Sequence, residues 1–415
     1  MKITPASMTF TLFMTCVIFG FSPAGWADKA DREKTNVSDS TEQKQREGQE
    51  IFRFDTFGNE QLWTDVLRLH EAIATVDPAT ALAVGLKVDV DALPKELAAA
   101  LQAGQVDLKK PEVTVELLRL NAVVGVKGNV DELGRLATIG VTCALCHSSV
   151  DDSLAPGIGK RLDGWANIDL NVGAIIALSP VLDDATKAEF NTWGPGKYDP
   201  VRHYFNGANI IPLNSPSQPV VIPSIYGLKG VGFETYTADG PISYWNSYVG
   251  IGQMGGKGTF TDPRTGLTIE QTPDLVTPKL PALYEYQLIL KTPKAEAGSF
   301  DRAAAQRGKH LFRNKASCDT CHQPPHFTDV VRSPNQQEPF LHDPAEVGAD
   351  PTYANKSATK KYRTTPLRGL QKHPPYFHDG SAADLLAVVN HYDKHFGLSL
   401  TEEEKADLVE YLKSI

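Results

Sequence analysis

Cys318-Asp319-Thr320-Cys321-His322 and Cys143-Ala144-Leu145-Cys146-His147 are the residues whose types and spacing carry chemistry. A C-x-x-C-H run reads as the attachment site of a c-type haem. The two thiols add across the haem vinyl groups, and the histidine behind them is aimed at the iron. Two runs imply two covalent haems, and with them electron transfer or chemistry on peroxide or oxygen. Zinc and thioredoxin-like sites also use cysteine pairs. Zinc expects roughly 15–20 residues between its pairs, whereas Cys146 and Cys318 lie 172 positions apart. A thioredoxin-like site needs no histidine after the pair, and here both pairs have one.

The sixth position on each iron separates a carrier from an enzyme, because methionine closes it and a vacancy admits peroxide or oxygen. Met1, Met8 and Met14 fall in the N-terminal leader, so Met254 is the remaining methionine. It lies between the pentads in a glycine-rich loop, Gly252 to Gly258, that could close over the first haem. The bland reading is a gap-filling methionine. For the second haem, Leu385, Val388, Val389 and Tyr392 share one helical face, directed at the haem pocket or the core. His391 and His395 fall on another face and read as an exposed pair. Trp245, in Ser243-Tyr244-Trp245-Asn246, is either an electron relay between haems or a packed aromatic.

A chain of 415 residues with 41% apolar and 22% charged content has the make-up of a globular protein of about two domains. Lys2, an apolar run from Met8 to Phe21, and small residues at Gly25 and Ala27 have the layout of a secretory signal cleaved after Ala27. Periplasmic export is expected, and it suits covalent haem attachment. No later segment has 18 consecutive apolar residues, so no membrane span is expected. Cys16 leaves with the leader, and the pentads use the other four cysteines. The formal charge of −9 argues against nucleic acid and suits a basic redox protein as electron donor or acceptor.

Residues 28–50 read as a flexible tether and 51–120 as a helical N-terminal region. The first haem domain is expected over 121–292, a linker over 293–299 and the second haem domain over 300–415. Leu62, Val66, Leu69 and Ile73 mark one helix, with Trp63 and His70 as packing residues off its stripe. Pro94 opens another that Gly104 stops. The turn Asp131 to Gly134 predicts a hairpin feeding a strand over 136–142, so the first pentad follows a strand. Ser299 can cap a helix with Ala304, Gly308, Leu311 and Phe312 on one face. Thr401 and Glu404 form a capping box ahead of Leu408, Tyr411, Leu412 and Ile415. Gly308 permits a close crossing, so the two terminal helices should pack together. Ile222 to Leu228 and Thr365 to Leu370 echo each other, a faint internal repeat. The expected fold is mainly α: two cytochrome c-like haem domains with long loops and a few short strands, plus an N-terminal helical extension.

The chain resembles the bacterial dihaem cytochrome c peroxidase superfamily, which includes MauG-type enzymes. The resemblance rests on Gly308-x-x-Leu311-Phe312 before Cys318, Phe327-Thr328-Asp329 after it, Thr365-Pro366-Leu367-Arg368, Pro375-Tyr376-Phe377-His378-Asp379-Gly380 and the last helix. It implies a peroxidase-like oxidoreductase in which one haem meets peroxide and the other passes electrons. It also implies Tyr392 as an axial ligand, and a calcium ion between the haem domains for which the sequence shows no local ligand motif. The first half departs from the pattern. No histidine occurs between Ser148 and Arg202, where the family places a distal one, and His203 is the first available. A plain electron carrier and an oxygenase of organic substrates stand as alternatives.

Overall fold

The computed structural model describes residues 24–330 and 339–415, with side chains from Asp39 onward. Most of the expected leader, 1–27, therefore lies outside the described residues. The chain divides into two compact units, residues 1–43 and 44–415. Helix outweighs strand, 39% to 12%, in keeping with the mainly α expectation. None of the described helices is long and apolar enough to cross a membrane.

In chain order, the elements that position the site are α1 (Ala24–Phe54), α2 (Pro111–Arg119), β1 (Val126–Val130), β2 (Leu136–Val141), α3 (Ala144–His147), β3 (Lys197–Tyr198), β4 (Val220–Val221), α4 (Ile242–Tyr248), α5 (Leu280–Ile289), α6 (Arg302–Arg313), α7 (Leu385–Phe396) and α8 (Glu402–Lys413).

Where the sequence reads as a flexible tether, 28–50, the structure has α1. The stretch contains no proline and is rich in Lys, Glu, Gln and Arg, which favour helix. Its end is anchored by Ile51 and Phe52, both buried. A Cβ on Gly48 would meet the Ala282 carbonyl of α5 at 2.1 Å, so α1 lies close on α5 there.

One apolar core runs from Ile51 to Tyr286 and gathers α1, β1, β2, α4 and α5. The helical region expected to end at residue 120 therefore shares its core with the stretch that carries the first pentad. Side chains knit the join: Asn59 Nδ2 donates to the Val141 carbonyl (2.8 Å) and its Oδ1 accepts from Val141 N (3.0 Å). Thr64 does the same for Ile139 (2.8 and 2.9 Å). These four bonds cover the free edge of β2, each worth about 1 kcal/mol net. The single helix expected over Leu62 to Ile73 is broken. Gln61–Val66 is a π turn, and Arg68 takes a left-handed φ of 52° before Leu69–Ile73. Leu62 and Leu69 are nonetheless both fully buried, so the periodicity recorded burial and not continuity. The helix after Pro94 (Lys95–Gln102) and the β1–β2 hairpin form as expected.

The second core joins α6, α7 and α8 through Phe312, Leu385, Val389, Leu408 and Leu412. Asp301, and not Ser299, caps α6, accepting from Ala303 N and Ala304 N. Thr401 and Glu404 form the complete capping box. A Cβ on Gly308 would lie 2.0 Å from the Asp407 carbonyl, so α6 and α8 touch backbone to backbone, as the glycine predicted. A smaller cluster of Val201, Val220, Tyr353, Ala354 and Tyr362 draws on both halves of the chain. There β4 pairs antiparallel with β3, and Val221 N donates to the His378 carbonyl at 2.8 Å.

Candidate functional site

Strand β2 delivers Thr142 to the first pentad, and Thr142 N donates to the Gly125 carbonyl (2.9 Å). Gly125 has φ +76°, and a Cβ there would meet Leu145 N at 2.0 Å. Only glycine lets the hairpin pass this close behind α3. His147 Nδ1 lies 3.0 Å from the Pro223 carbonyl, and burial lowers its pKa to about 4. The ring is neutral, donates from Nδ1, and keeps its Nε2 lone pair for a metal. The second pentad repeats the device: His322 Nδ1 bonds the Phe327 carbonyl at 3.1 Å, and burial again holds the pKa down. An imidazole fixed through its second nitrogen is how proteins orient a metal-ligating histidine.

The cysteines separate the rival chemistries. None of the four pairs in a disulfide. Burial pushes Cys143, Cys146 and Cys318 up to about 12 and raises Cys321 as well. A C-x-x-C redox pair works by the opposite shift, toward the thiolate. The two pairs also sit against different cores, so they do not make one four-cysteine zinc site.

A cavity of about 580 Å³, within the range of cofactor pockets, opens over Cys318, Cys321 and His322. Leu385, Val388, Val389 and Tyr392 of α7 all line it, so the face read from periodicity is the cavity wall. Burial pushes the Tyr392 phenol up to about 12; a bound ferric ion would invert that and favour phenolate. Polar groups at the wall fit the proposed guest. Arg363 pairs with Glu234 at 3.0 Å, yet Arg363 Nε, Glu234 Oε1 and Thr235 Oγ1 are buried without partners. An orphaned guanidinium N–H is the donor a haem propionate would take.

Met254 lies in no flexible loop. It ends a π turn (Val249–Gln253), its N donates to the Val249 carbonyl, and it is 7% exposed. Its carbonyl accepts from Trp63 Nε1 at 2.9 Å. It shares the apolar core against which Cys143 and Cys146 pack. The neighbouring Gln253 accepts from Tyr198 (2.7 Å), a phenol within electrostatic reach of Cys146. Trp245 is buried with its Nε1 donating to the Glu234 carbonyl at 3.1 Å. His203 is buried and bonded to Glu189 (3.0 Å). His391 and His395 stack on each other and bond the carbonyls of Val347 and Glu346, so the pair holds a loop.

His342, which sequence reasoning passed over, also lines the cavity. It is buried, with Nε2 at 2.8 Å from Asp329 and Nδ1 at 2.9 Å from Glu346. The bond to Asp329 leads in raising its pKa to about 9. In the folded chain the imidazole is therefore protonated at neutral pH. A raised folded-state pKa gives stability that is whole below about 6.5 and lost as pH climbs through about 9. Thermal melts from pH 6 to 9.5 should show the wild type losing its advantage over His342→Gln across that window. Parallel pH profiles for the two proteins would refute the assignment. Cys321, Asp329 and His342 are the one group among the described residues whose ligand atoms converge as for a metal.

No model of a known protein family matches the chain. Among curated proteins it is 33% identical over 130 residues to the methylamine utilization protein MauG of Methylorubrum extorquens, covering 27% of this chain and 35% of that protein. It is 28% identical over 151 residues to the cytochrome-c peroxidase IdrP1 of Denitromonas iodatirespirans, covering 27% and 40%. The chain is a relative of the MauG and dihaem cytochrome c peroxidase superfamily. The matches span little more than a third of each curated relative's length. A solved MauG-like protein associated with microbial copper homeostasis overlays 48% of this chain and 74% of its own at 20% identity, with a TM-score of 0.35. Haem is the cofactor that these relatives imply.

Proposed function

We propose that this is a periplasmic dihaem c-type cytochrome with peroxidase-like oxidoreductase activity. The observation that carries the reading is the paired histidine device. Each pentad histidine is neutral, half-buried and held through Nδ1 by a backbone carbonyl, which leaves Nε2 free to ligate. Bound haem would supply the redox chemistry with peroxide. The chain's part is to hold and insulate it. Cys143 and Cys146 with His147 would hold one haem, and Cys318 and Cys321 with His322 the other. Tyr392, which lines the second site from α7, would help hold the haem there, and Arg363 would pair with a propionate. A small redox protein would supply or take electrons.

A second reading, an electron carrier with both irons closed, is favoured by one observation. Met254 is buried within the core that carries the first pentad, as a sixth ligand to that haem would be. Low-temperature EPR of the air-oxidised protein, after haem quantification, separates the two. One high-spin ferric haem supports the peroxidase. Two low-spin signals indifferent to peroxide support the carrier. In the carrier case Met254→Ala should turn one low-spin signal high-spin and lower that haem's potential, while Tyr392→Phe alters the other haem. Identical spectra for Met254→Ala and wild type would remove Met254 from the coordination sphere.

A further inference from the structure

The two pentads share one stretch of chain. Ile222, Pro223, Ser224 and Tyr226 line the cavity over the second pentad. The Pro223 carbonyl is the same atom that accepts the Nδ1 proton of His147 in the first. The stretch is fixed from both sides. Gly164 N donates to the His147 carbonyl (2.8 Å), and Ile225 N donates to the Gly164 carbonyl (2.9 Å). On the far side Gly227 has φ +66°, and a Cβ there would meet Arg368 Nη1 at 2.8 Å and Thr292 Oγ1 at 2.4 Å. One hydrogen bond and one residue therefore separate the first histidine from the wall of the second cavity.

Trp245, the relay candidate in the sequence, is worse placed. It is not among the cavity-lining residues, and its N–H is committed to a backbone carbonyl, a group that cannot take the proton of an oxidised indole. The Arg264 guanidinium lies 5.5 Å from its ring and 4.6 Å from that of Tyr248. A neighbouring cation opposes positive charge on the ring.

We propose that Pro223 is the electron bridge between the two haems. With both haems bound, the His147 imidazole, its hydrogen bond and the Pro223 peptide would carry one electron from a ferrous iron to the other, ferric one; one iron would be oxidised as the other is reduced, and no proton would move. Trp245 is packing. Pro223 is a positioning residue in this scheme, and the inference rests on the two-haem reading above.

The test uses the full holoprotein, with two haems per chain first established by pyridine haemochrome. A single electron is injected by a photoexcited ruthenium complex, and its equilibration between the haems is followed optically. Pro223→Gly frees the carbonyl to swing away and should slow equilibration by about tenfold or more, on the scale of losses when an outer-shell partner of a ligating histidine is removed. It should also lower the Fe–His stretching frequency of the ferrous first haem in resonance Raman, a signature that loosened packing alone would not give. Trp245→Phe should keep the rate within about twofold and leave that band in place. A Pro223→Gly rate within twofold of wild type, or a tenfold loss in Trp245→Phe, overturns the bridge. Should Pro223→Gly fail to load haem, Trp245→Phe decides the matter: a rate within twofold of wild type supports the bridge, and a tenfold loss overturns it. A haem count below two would instead overturn the two-haem reading, whatever the rates.

Discussion

On the dihaem reading proposed above, replacing Cys318 and Cys321 together by alanine should cut covalent haem from two per chain to one. Both Cys318 and Cys321 line the cavity that His322 and Tyr392 share, and among the described residues no other cysteine is available there, since the remaining pair packs against the first core. Noncovalent haem would still find His322, but would be lost on acid–acetone extraction. The intact mass should fall by one haem beyond the change in side chains, and the pyridine haemochrome yield should halve. Haem held there without its thioether bonds would bind more weakly, so the melting temperature should fall as well. A double variant that keeps two covalent haems would sink the assignment of this pentad.

The largest effect on stability is expected at Gly308. Alanine favours helix over glycine by about 1 kcal/mol, yet its Cβ would sit 2.0 Å from the Asp407 carbonyl and 2.9 Å from Tyr411 Cβ. The obstacle is backbone, which cannot rotate away, so α6 and α8 must part. Overpacking of this kind costs about 1–3 kcal/mol, occasionally more, and the gap here places Gly308→Ala at the upper end. Separation would also strain the Arg307–Asp407 pair at 2.6 Å and withdraw Phe312 from Tyr411, whose rings lie 5.2 Å apart. Chemical denaturation should show a midpoint well below wild type. An equal or higher midpoint would mean that the helices separate at little cost.

Local rules recovered the features that local residues determine. The capping box, the hairpin turn at Asp131 to Gly134 and the cavity face of α7 are each set by residues within a few positions of one another, and the close crossing was marked by a single glycine, Gly308. What escaped depends on partners far apart in sequence. Glu234 and Arg363 lie 129 positions apart, and neither stands out alone. Pro223 acts through its carbonyl, which every residue possesses, so no side-chain signal could have marked it. Arg68 adopts a left-handed φ without being glycine, which hid the break in an otherwise periodic stretch. Glycine content suggested a mobile loop around Met254, but a π turn packed under Trp63 holds it. Composition suggested a tether where α1 forms, because charged residues that avoid a core are equally content on an exposed helix.

The cavity over Cys318 takes part of its wall from residues 221–236 and the rest from residues 312–412. A chain synthesised from its amino end would have the earlier wall in place before Cys318 emerges. A C-terminal half made alone would present its thiols beside an open apolar trough. On the dihaem reading proposed above, cofactor insertion at the second pentad would wait on the folding of the first half, and a lesion in the first core, far from any ligand, would surface as a missing second haem.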